Sequence, residues 1–362
     1  MSIAELIARA RRDVEDGTLP SCQLALARNG ELVAWEAFGA AAGSRYTIFS
    51  ITKALVASAI WLLVSEEALT CETRVADLVP EFAGKDAVTV DHLLLHTAGF
   101  PRAPMRPEEG ADPVTRLERF RSWRLDWAPG TRTEYHPTSA HWVLAEVIER
   151  ASSLDFRAFV NERICAALDL DFLRLGFDEI DQRPIVDVAI VGEPSQLGTI
   201  RRSSGEELQL PEIRGDILLR YNEPVVRAAG VPGAGAVGTA ADVAMLFQAM
   251  MRNSEGLWNQ EVLADATGSV RNTFLDPYTN VSANRTRGLV AAGEDGYALM
   301  RSFGEGVSGR AFASPGVGGQ TAWADPDTGV SFCYLTNGID ADLVRAFRRS
   351  MSLSMLAAAA AR

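Results

Sequence analysis

The stretch YTIFSITKALVASAIWLLVSEEAL, Tyr46 to Leu69, decides how this chain is read. From Ala54 to Val64 it is almost wholly apolar, and a helix that is apolar all round is a buried one. Yet Ser50 and Lys53 stand together at its mouth. On a helix, residues three apart share a face, with Cβ atoms about 5–6 Å apart, so the Lys53 ammonium reaches the Ser50 hydroxyl. Ser50 in the first turn also sits in the positive field of the helix N-terminus, where free N–H groups favour an oxyanion. A weak nucleophile, a basic partner and anion-stabilising donors coincide, and acyl transfer needs those three parts. The competing account is a Ser cap followed by a Lys that lays its stem along the surface. The apolar run after Lys53 favours the chemical account.

Upstream, CQLALARNGELVAWEAFG sets two strand-like runs around Asn29-Gly30, the dipeptide of a tight hairpin. Residues 2–16 carry Ile3, Leu6, Ile7, Ala10 and Val14 at helical spacing. Residues 76–230 change character. VTVDHLLLHTAGFP, PVTRLERFRSW, SAHWVLAEVIERASS and FRAFVNERICAAL read as short helices between Pro/Gly turns. GTAADVAMLFQAMMRN predicts a helix with Thr239 as its N-cap. The last third returns to strands: GYALMRSF, GRAFASPG, and QTAWADPDTGVSFCYLTNG, the last turning as a hairpin at ADPDTG. DADLVRAFRRSMSLSMLAAAA closes the chain as a helix.

Strands at both ends and helices between them predict an α+β fold. It is an α/β sandwich, one antiparallel sheet built from both termini and flanked by helices, with a mostly helical lobe added. The expected division is 1–75 with 231–362 for the sheet lobe and 76–230 for the helical lobe. The two would form a single catalytic unit with the cleft between them. Loops of the helical lobe, 101–113 and 196–230, are expected to wall that cleft.

At 362 residues the chain is long enough for a large core. Its net charge of -12, spread rather than blocked, excludes nucleic acid and anionic membrane as partners held by bulk electrostatics. Cys22, Cys71, Cys165 and Cys333 are scattered with no CxxC pair, so they read as small core residues of a reducing compartment. The N-terminus interleaves charge with apolar residues, so an amphipathic helix is expected there rather than a signal peptide. The longest apolar runs fall well short of a membrane span. The expected location is the cytoplasm. Oligomeric state is not readable from these features.

Several blocks together carry a family resemblance. FSITKALVASAIWLLVSEEALTCETRVADLVPEF resembles the active-site serine region of the serine β-lactamase and penicillin-binding-protein superfamily, in particular class C β-lactamases and family VIII esterases. TVDHLLLHTAGFP is similar to the family's segment after that helix, and WAPGTRTEYHPTSAHWVLAEVIER to the one carrying its Tyr-x-Asn motif. GAGAVGTAADVAMLFQAM and PGVGGQTAWADPDTGVSFCYLTNG resemble later blocks, in family order. The resemblance implies Ser50 as the acylated nucleophile and Lys53 as the residue that lowers the Ser and Tyr proton affinities. Tyr135 is implied as the proton shuttle. It also implies an oxyanion hole from the Ser50 N–H and an N–H after Gly316, that of Val317, and no cofactor.

Two departures from the pattern bear on the substrate. Tyr-x-Asn stands here as Tyr135-His136-Pro137, and proline has no side-chain amide to offer. The third motif, Lys-Thr-Gly or His-x-Gly in the family, aligns with Ser314-Pro315-Gly316 and has no cation or imidazole. Both losses point away from β-lactams. The leading expectation is a serine hydrolase of small carboxylic esters. The alternatives are a β-lactamase or D-alanyl-D-alanine peptidase acting on amides, and a non-catalytic binding protein on the same fold. His136, beside Tyr135, and Trp127 are candidates to line the pocket, with core packing an equal account for Trp127. His96 is expected to tie down its turn, and His141 to lie on or against its helix. His92 and His96 are four apart, but no Glu of an HExxH motif or third ligand accompanies them, so no metal site is expected. No G-x-S-x-G elbow occurs, which argues against an α/β-hydrolase.

Overall fold

The computed structural model describes residues 2–177, 183–194, 199–201, 207–209 and 214–360. Helix α1 (Ile3–Glu15) begins at a capping box between Ser2 and Glu5. Strands β1 (Cys22–Arg28) and β2 (Glu31–Phe38) follow, joined by Asn29 and Gly30. Both turn residues have positive φ, 53° and 92°, as the favoured two-residue hairpin turn demands.

The other strands of this sheet come from the far end of the chain: β3 (Val290–Ala291), β4 (Phe312–Ala313), β5 (Thr321–Asp325) and β6 (Val330–Thr336). The spatial order is β2-β1-β6-β5-β4-β3, antiparallel throughout. The N-terminal hairpin is therefore joined to the C-terminal strands through β1 and β6, with Cys22 opposite Thr336 and Arg28 opposite Val330.

The strand period of two sorts the core onto two faces. Cys22, Leu24 and Leu26 of β1 and Phe332 and Tyr334 of β6 pack against α1 and the last helix, α6 (Leu343–Ala360). Ala25, Ala27, Cys333 and Leu335 face the other way, toward α5 (Ala240–Arg252). Thr239 caps α5 by accepting the Asp242 N–H, as its sequence predicts. Both faces of β1 and β6 are covered, so these strands are buried along nearly their whole length.

Helix α2 (Thr52–Ser65) is buried from Thr52 to Leu63. Each fully buried Leu, Ile or Val on it contributes about 1.5–3 kcal/mol. It packs on α4 (Ser139–Ser152), the longest of the helices between residues 75 and 165. Among the others, α3 (Val90–Leu94) leads into the turn that carries His96. Residues Tyr46–Thr47, just before α2, pair with Ala236–Gly238. The Ala236 N–H then donates to the Thr52 hydroxyl at 3.1 Å. This pairing brings residues 231–238 alongside the start of α2.

One expected strand is absent. GYALMRSF forms a helical turn, Ala298–Arg301, ended by Ser302 at φ 70°. The turn lets the buried Arg301 guanidinium reach the Ser282 and Ala292 carbonyls and the Asp295 carboxylate, three acceptors on one side that an extended chain would not face together. Among the described residues no helix is long and apolar enough to cross a membrane.

Candidate active site

Ser50 does not open α2 itself. It lies in a tight 3-10 turn, Phe49–Ile51, that precedes Thr52. Phe49 adopts a positive φ of 44°, unusual for a bulky residue, so backbone strain stands next to Ser50. The Phe49 ring is held edge-on against Tyr221 at 5.3 Å.

The three residues expected to work together are brought together. Tyr135 Oη lies 2.8 Å from Ser50 Oγ. Lys53 Nζ lies 3.1 Å from the same oxygen and donates to the Gly233 carbonyl at 2.6 Å. Lys53 is buried, and that burial holds its pKa below the ordinary lysine value, against the opposing pull of Tyr135. Burial would raise the Tyr135 phenol. The Lys53 charge, a hydrogen bond with Ser50 and the Arg285 charge outweigh it, so the phenol lies below its usual range.

A cleft of about 410 Å³ opens on these groups, a volume suited to a small ligand. Ser314, Gly316 and Val317 line it. The Ser314 hydroxyl donates to the Ser50 carbonyl at 3.0 Å, tying the segment after β4 to the serine turn. The Gly316 N–H is spent on the Gln320 carbonyl at 2.9 Å. Those of Ser50 and Val317 have no acceptor among the described residues.

His136 faces away from the cleft. It is fully buried, its Nε2 accepts the Phe100 N–H at 3.2 Å, and its Nδ1 meets the Glu134 carbonyl at 2.7 Å. Residues 132–137 form no helix, and in such backbone, as along a strand, successive side chains leave on opposite sides. With Tyr135 toward the cleft, His136 points inward. Trp127 packs edge-on against His136 at 6.3 Å, under the Arg132 guanidinium, and does not line the cleft.

His96 takes the place expected of His136. Its turn holds it at φ 58°, and its Nδ1 accepts the His136 N–H at 3.1 Å. Its ring lies 4.8 Å from that of Tyr135 and lines the cleft. Burial, with nearby cations, keeps it neutral, so the proton sits on Nε2. His141 is buried on α4 rather than on its surface, 5.9 Å from His96. His92 is committed to capping α3, its Nδ1 accepting the Thr89 N–H.

The remaining wall comes from a segment with no recognisable motif. Asp276, Tyr278, Thr279, Arg285, Gly288 and Val290 line the cleft. Loop 101–113 does not. Of the expected 196–230 wall, residues 196–198, 202–206 and 210–213 lie outside the described residues. Gly288 marks where this segment crosses α2: its φ is 104°, and a Cβ there would come within 2.3 Å of the Ala57 Cβ.

A family model described as Beta-lactamase matches residues 6–350. The chain belongs to the beta-lactamase family. Esterase EstB of Burkholderia gladioli is 30% identical over 67% of this chain and 67% of its own length. The Esterase/beta-lactamase LipL of Mycobacterium tuberculosis is 26% identical over 84% of this chain and 71% of its own. Among solved structures, EstA from Arthrobacter nitroguajacolicus superposes with a TM-score of 0.78 at 22% identity, covering 99% of this chain and 96% of EstA. A penicillin-binding protein homologue from Caulobacter crescentus gives 0.77 at 25% identity, covering 99% and 97%. The α+β fold is thus that of the family, with its helices and antiparallel sheet.

Proposed function

We propose that this beta-lactamase family member is a serine hydrolase that cleaves small carboxylic esters through an acyl-enzyme on Ser50. One observation carries the reading: Ser50 Oγ faces a small cleft with Tyr135 Oη and Lys53 Nζ both in hydrogen-bond range. In acylation the Tyr135 phenolate takes the Ser50 proton as Oγ bonds to the ester carbonyl carbon. The Lys53 ammonium offsets the charge that moves between the two oxygens. The carbonyl oxygen becomes an oxyanion, for which the Ser50 and Val317 N–H groups are unspent. Collapse breaks the C–O bond to the alcohol, and the departing alkoxide takes the proton from Tyr135. Water then attacks the acyl carbon, giving its proton to Tyr135, which returns it to Ser50 Oγ as the carboxylic acid leaves. No cofactor enters these steps.

The relatives named as esterases support this substrate class. So do Pro137 and Ser314, which offer neither a side-chain amide nor a cation where the family's β-lactam-binding groups stand. Hydrolysis of β-lactams or D-alanyl peptides draws on the same three residues and on the double name of LipL. A binding protein without catalysis is the third reading. We also assign the protein to the cytoplasm, because its four cysteines are buried and unpaired, as in a reducing compartment.

Short-chain nitrophenyl esters, nitrocefin and a fluorophosphonate probe separate the readings. Ester turnover that Ser50→Ala abolishes is the expected result. Equal rates in the two proteins would sink it. Nitrocefin turnover far above ester turnover transfers the assignment to β-lactams, and failure of the probe to label Ser50 favours the binding protein.

A further inference from the structure

Residues 272–285 fold back on themselves through bridges between Asn272 and Arg285 and between Leu275 and Ser282. The base of this arm is anchored. The buried Asn272 amide donates to the Leu95 carbonyl and to the Thr133 hydroxyl, while its backbone exchanges hydrogen bonds with Arg285. Arg285 is thereby held at the cleft, its guanidinium carbon 5.4 Å from the centroid of the Tyr135 ring. Nearby arginines are neutralised: Arg271 by Asp265, Arg287 by Asp91 and Asp265, Arg301 by Asp295. The Arg285 side chain makes no ion pair or hydrogen bond with any described residue. A half-buried cation without a paired counter-charge is costly and calls for a cause.

We propose that Arg285 is a positioning residue for Tyr135: beside Lys53, it is the second fixed positive charge that favours the phenolate able to take the Ser50 proton. It fills electrostatically the place left by Ser314, which brings no charge to the cleft. The proposal rests on reading Ser50 as a nucleophile activated by Tyr135.

The surroundings leave few other sources of charge. From α2, Lys53 Nζ lies 5.0 Å from the Tyr135 ring centroid. His96 from the turn after α3, His136 from the adjoining backbone and His141 from α4 are all buried and neutral. Tyr221 is a buried phenol whose proton is held tightly. On the arm itself, Asp276 opposes Arg285 without pairing to it. Its carboxylate accepts the Tyr278 and Thr279 N–H groups and so stays with its own turn. Two cations therefore set the field at Tyr135, with the Asp276 carboxylate acting on Arg285. The Arg285 charge pulls the Tyr135 phenol down, in the same direction as Lys53 and by less.

The test follows two rates across about pH 5–10: kcat/KM for a neutral nitrophenyl ester, and fluorophosphonate labelling of Ser50. In Arg285→Gln the acid limb of both is expected to move to higher pH, with Arg285→Lys restoring it. Asp276→Asn is expected to move the limb down by a smaller step, a second reading that does not depend on the Gln variant folding. An unmoved limb in a folded Arg285→Gln protein overturns the proposal. So does a defect confined to esters carrying a carboxylate, which would make Arg285 an anchor for substrate anions. Labelling of Ser50 without ester turnover removes the esterase reading alone, and the Arg285 shift is then read from the labelling rates. No labelling in any variant removes both.

Discussion

Lys53 Nζ stands 2.6 Å from the Gly233 carbonyl oxygen. That contact spans 180 residues and joins α2 to the segment that pairs with Tyr46–Thr47. It aims the ammonium at Ser50 Oγ by giving a second N–H a fixed acceptor. It supplies no counter-charge, so the buried lysine stays easier to deprotonate than a surface one.

Lys53→Met removes the charge but keeps the stem. Activity on esters is expected to fall about 10²–10⁴-fold, the usual loss when a proton-transfer group is taken away. Stability is expected to change little, because the desolvation cost of the buried ammonium disappears together with its hydrogen bonds to Ser50 and the Gly233 carbonyl. Turnover measured beside thermal unfolding checks both. A Lys53→Met protein that unfolds early with normal turnover would make the lysine structural.

Tyr135→Phe keeps the ring against His96 and loses the oxygen. Its kcat/KM is expected to drop about 10²–10⁴-fold on esters. Because the Tyr135 phenol lies below its ordinary range, the wild-type rate should climb with pH and level off below the pH expected of a free phenol near 10. The variant should lose that limb. A limb that survives in Tyr135→Phe assigns it to another group.

The sequence exposes those features that depend on near neighbours. Asn29-Gly30 is legible because a two-residue hairpin needs two positive φ values, and these residue types accept them. Ser50 and Lys53 are legible because one helical turn separates them. Arg285 is not, since its meaning lies in what it lacks, a carboxylate, and in its place beside a residue 150 positions earlier. His136 misleads for a simpler reason: adjacency to Tyr135 along non-helical backbone sends it to the opposite side. GYALMRSF alternates well enough for a strand, but the burial of Arg301 requires a helical turn, and only tertiary acceptors reveal it.

Ser314→Ala tests what replaced the third motif. The hydroxyl donates to the Ser50 carbonyl, so its removal should cost about 1 kcal/mol of stability and loosen the serine turn. The expected kinetic effect is a fall in kcat of about tenfold with little change in KM, because a misplaced nucleophile slows chemistry more than binding. A rise in KM at constant kcat would instead make Ser314 a substrate contact.

Gly288→Ala should be destabilising by about 2–4 kcal/mol, combining a positive φ with overpacking against Ala57. Adding Ala57→Gly removes the clash. Although Gly in a helix costs about 1 kcal/mol, the double variant should be less destabilised than the two single effects summed. Urea midpoints of the four proteins close the cycle. Additive losses would show that the arm and α2 do not meet as tightly as this geometry requires.

His96, His136 and His141 make acid the weak side of this protein. Burial depresses all three, His136 to about 4 from an ordinary value near 6.5. A base whose folded pKa is lowered is neutral in both states above its unfolded value, so its contribution to stability is complete there. Below about pH 6.5 the unfolded chain gains protons that the folded chain refuses, and stability falls until the folded pKa is passed. For His136 the loss between about pH 6.5 and 4 amounts to roughly 3 kcal/mol. His136→Gln keeps a polar group at this buried position, which must accept the Phe100 N–H and meet the Glu134 carbonyl, and it cannot titrate. It is expected to be somewhat less stable than wild type at pH 7.5, where the imperfect fit dominates, and to lose less on going to pH 5. The comparison of the two slopes in urea isolates the histidine. Parallel slopes would mean that the ring is protonated in the folded protein as readily as in the unfolded one, which its two backbone partners do not allow.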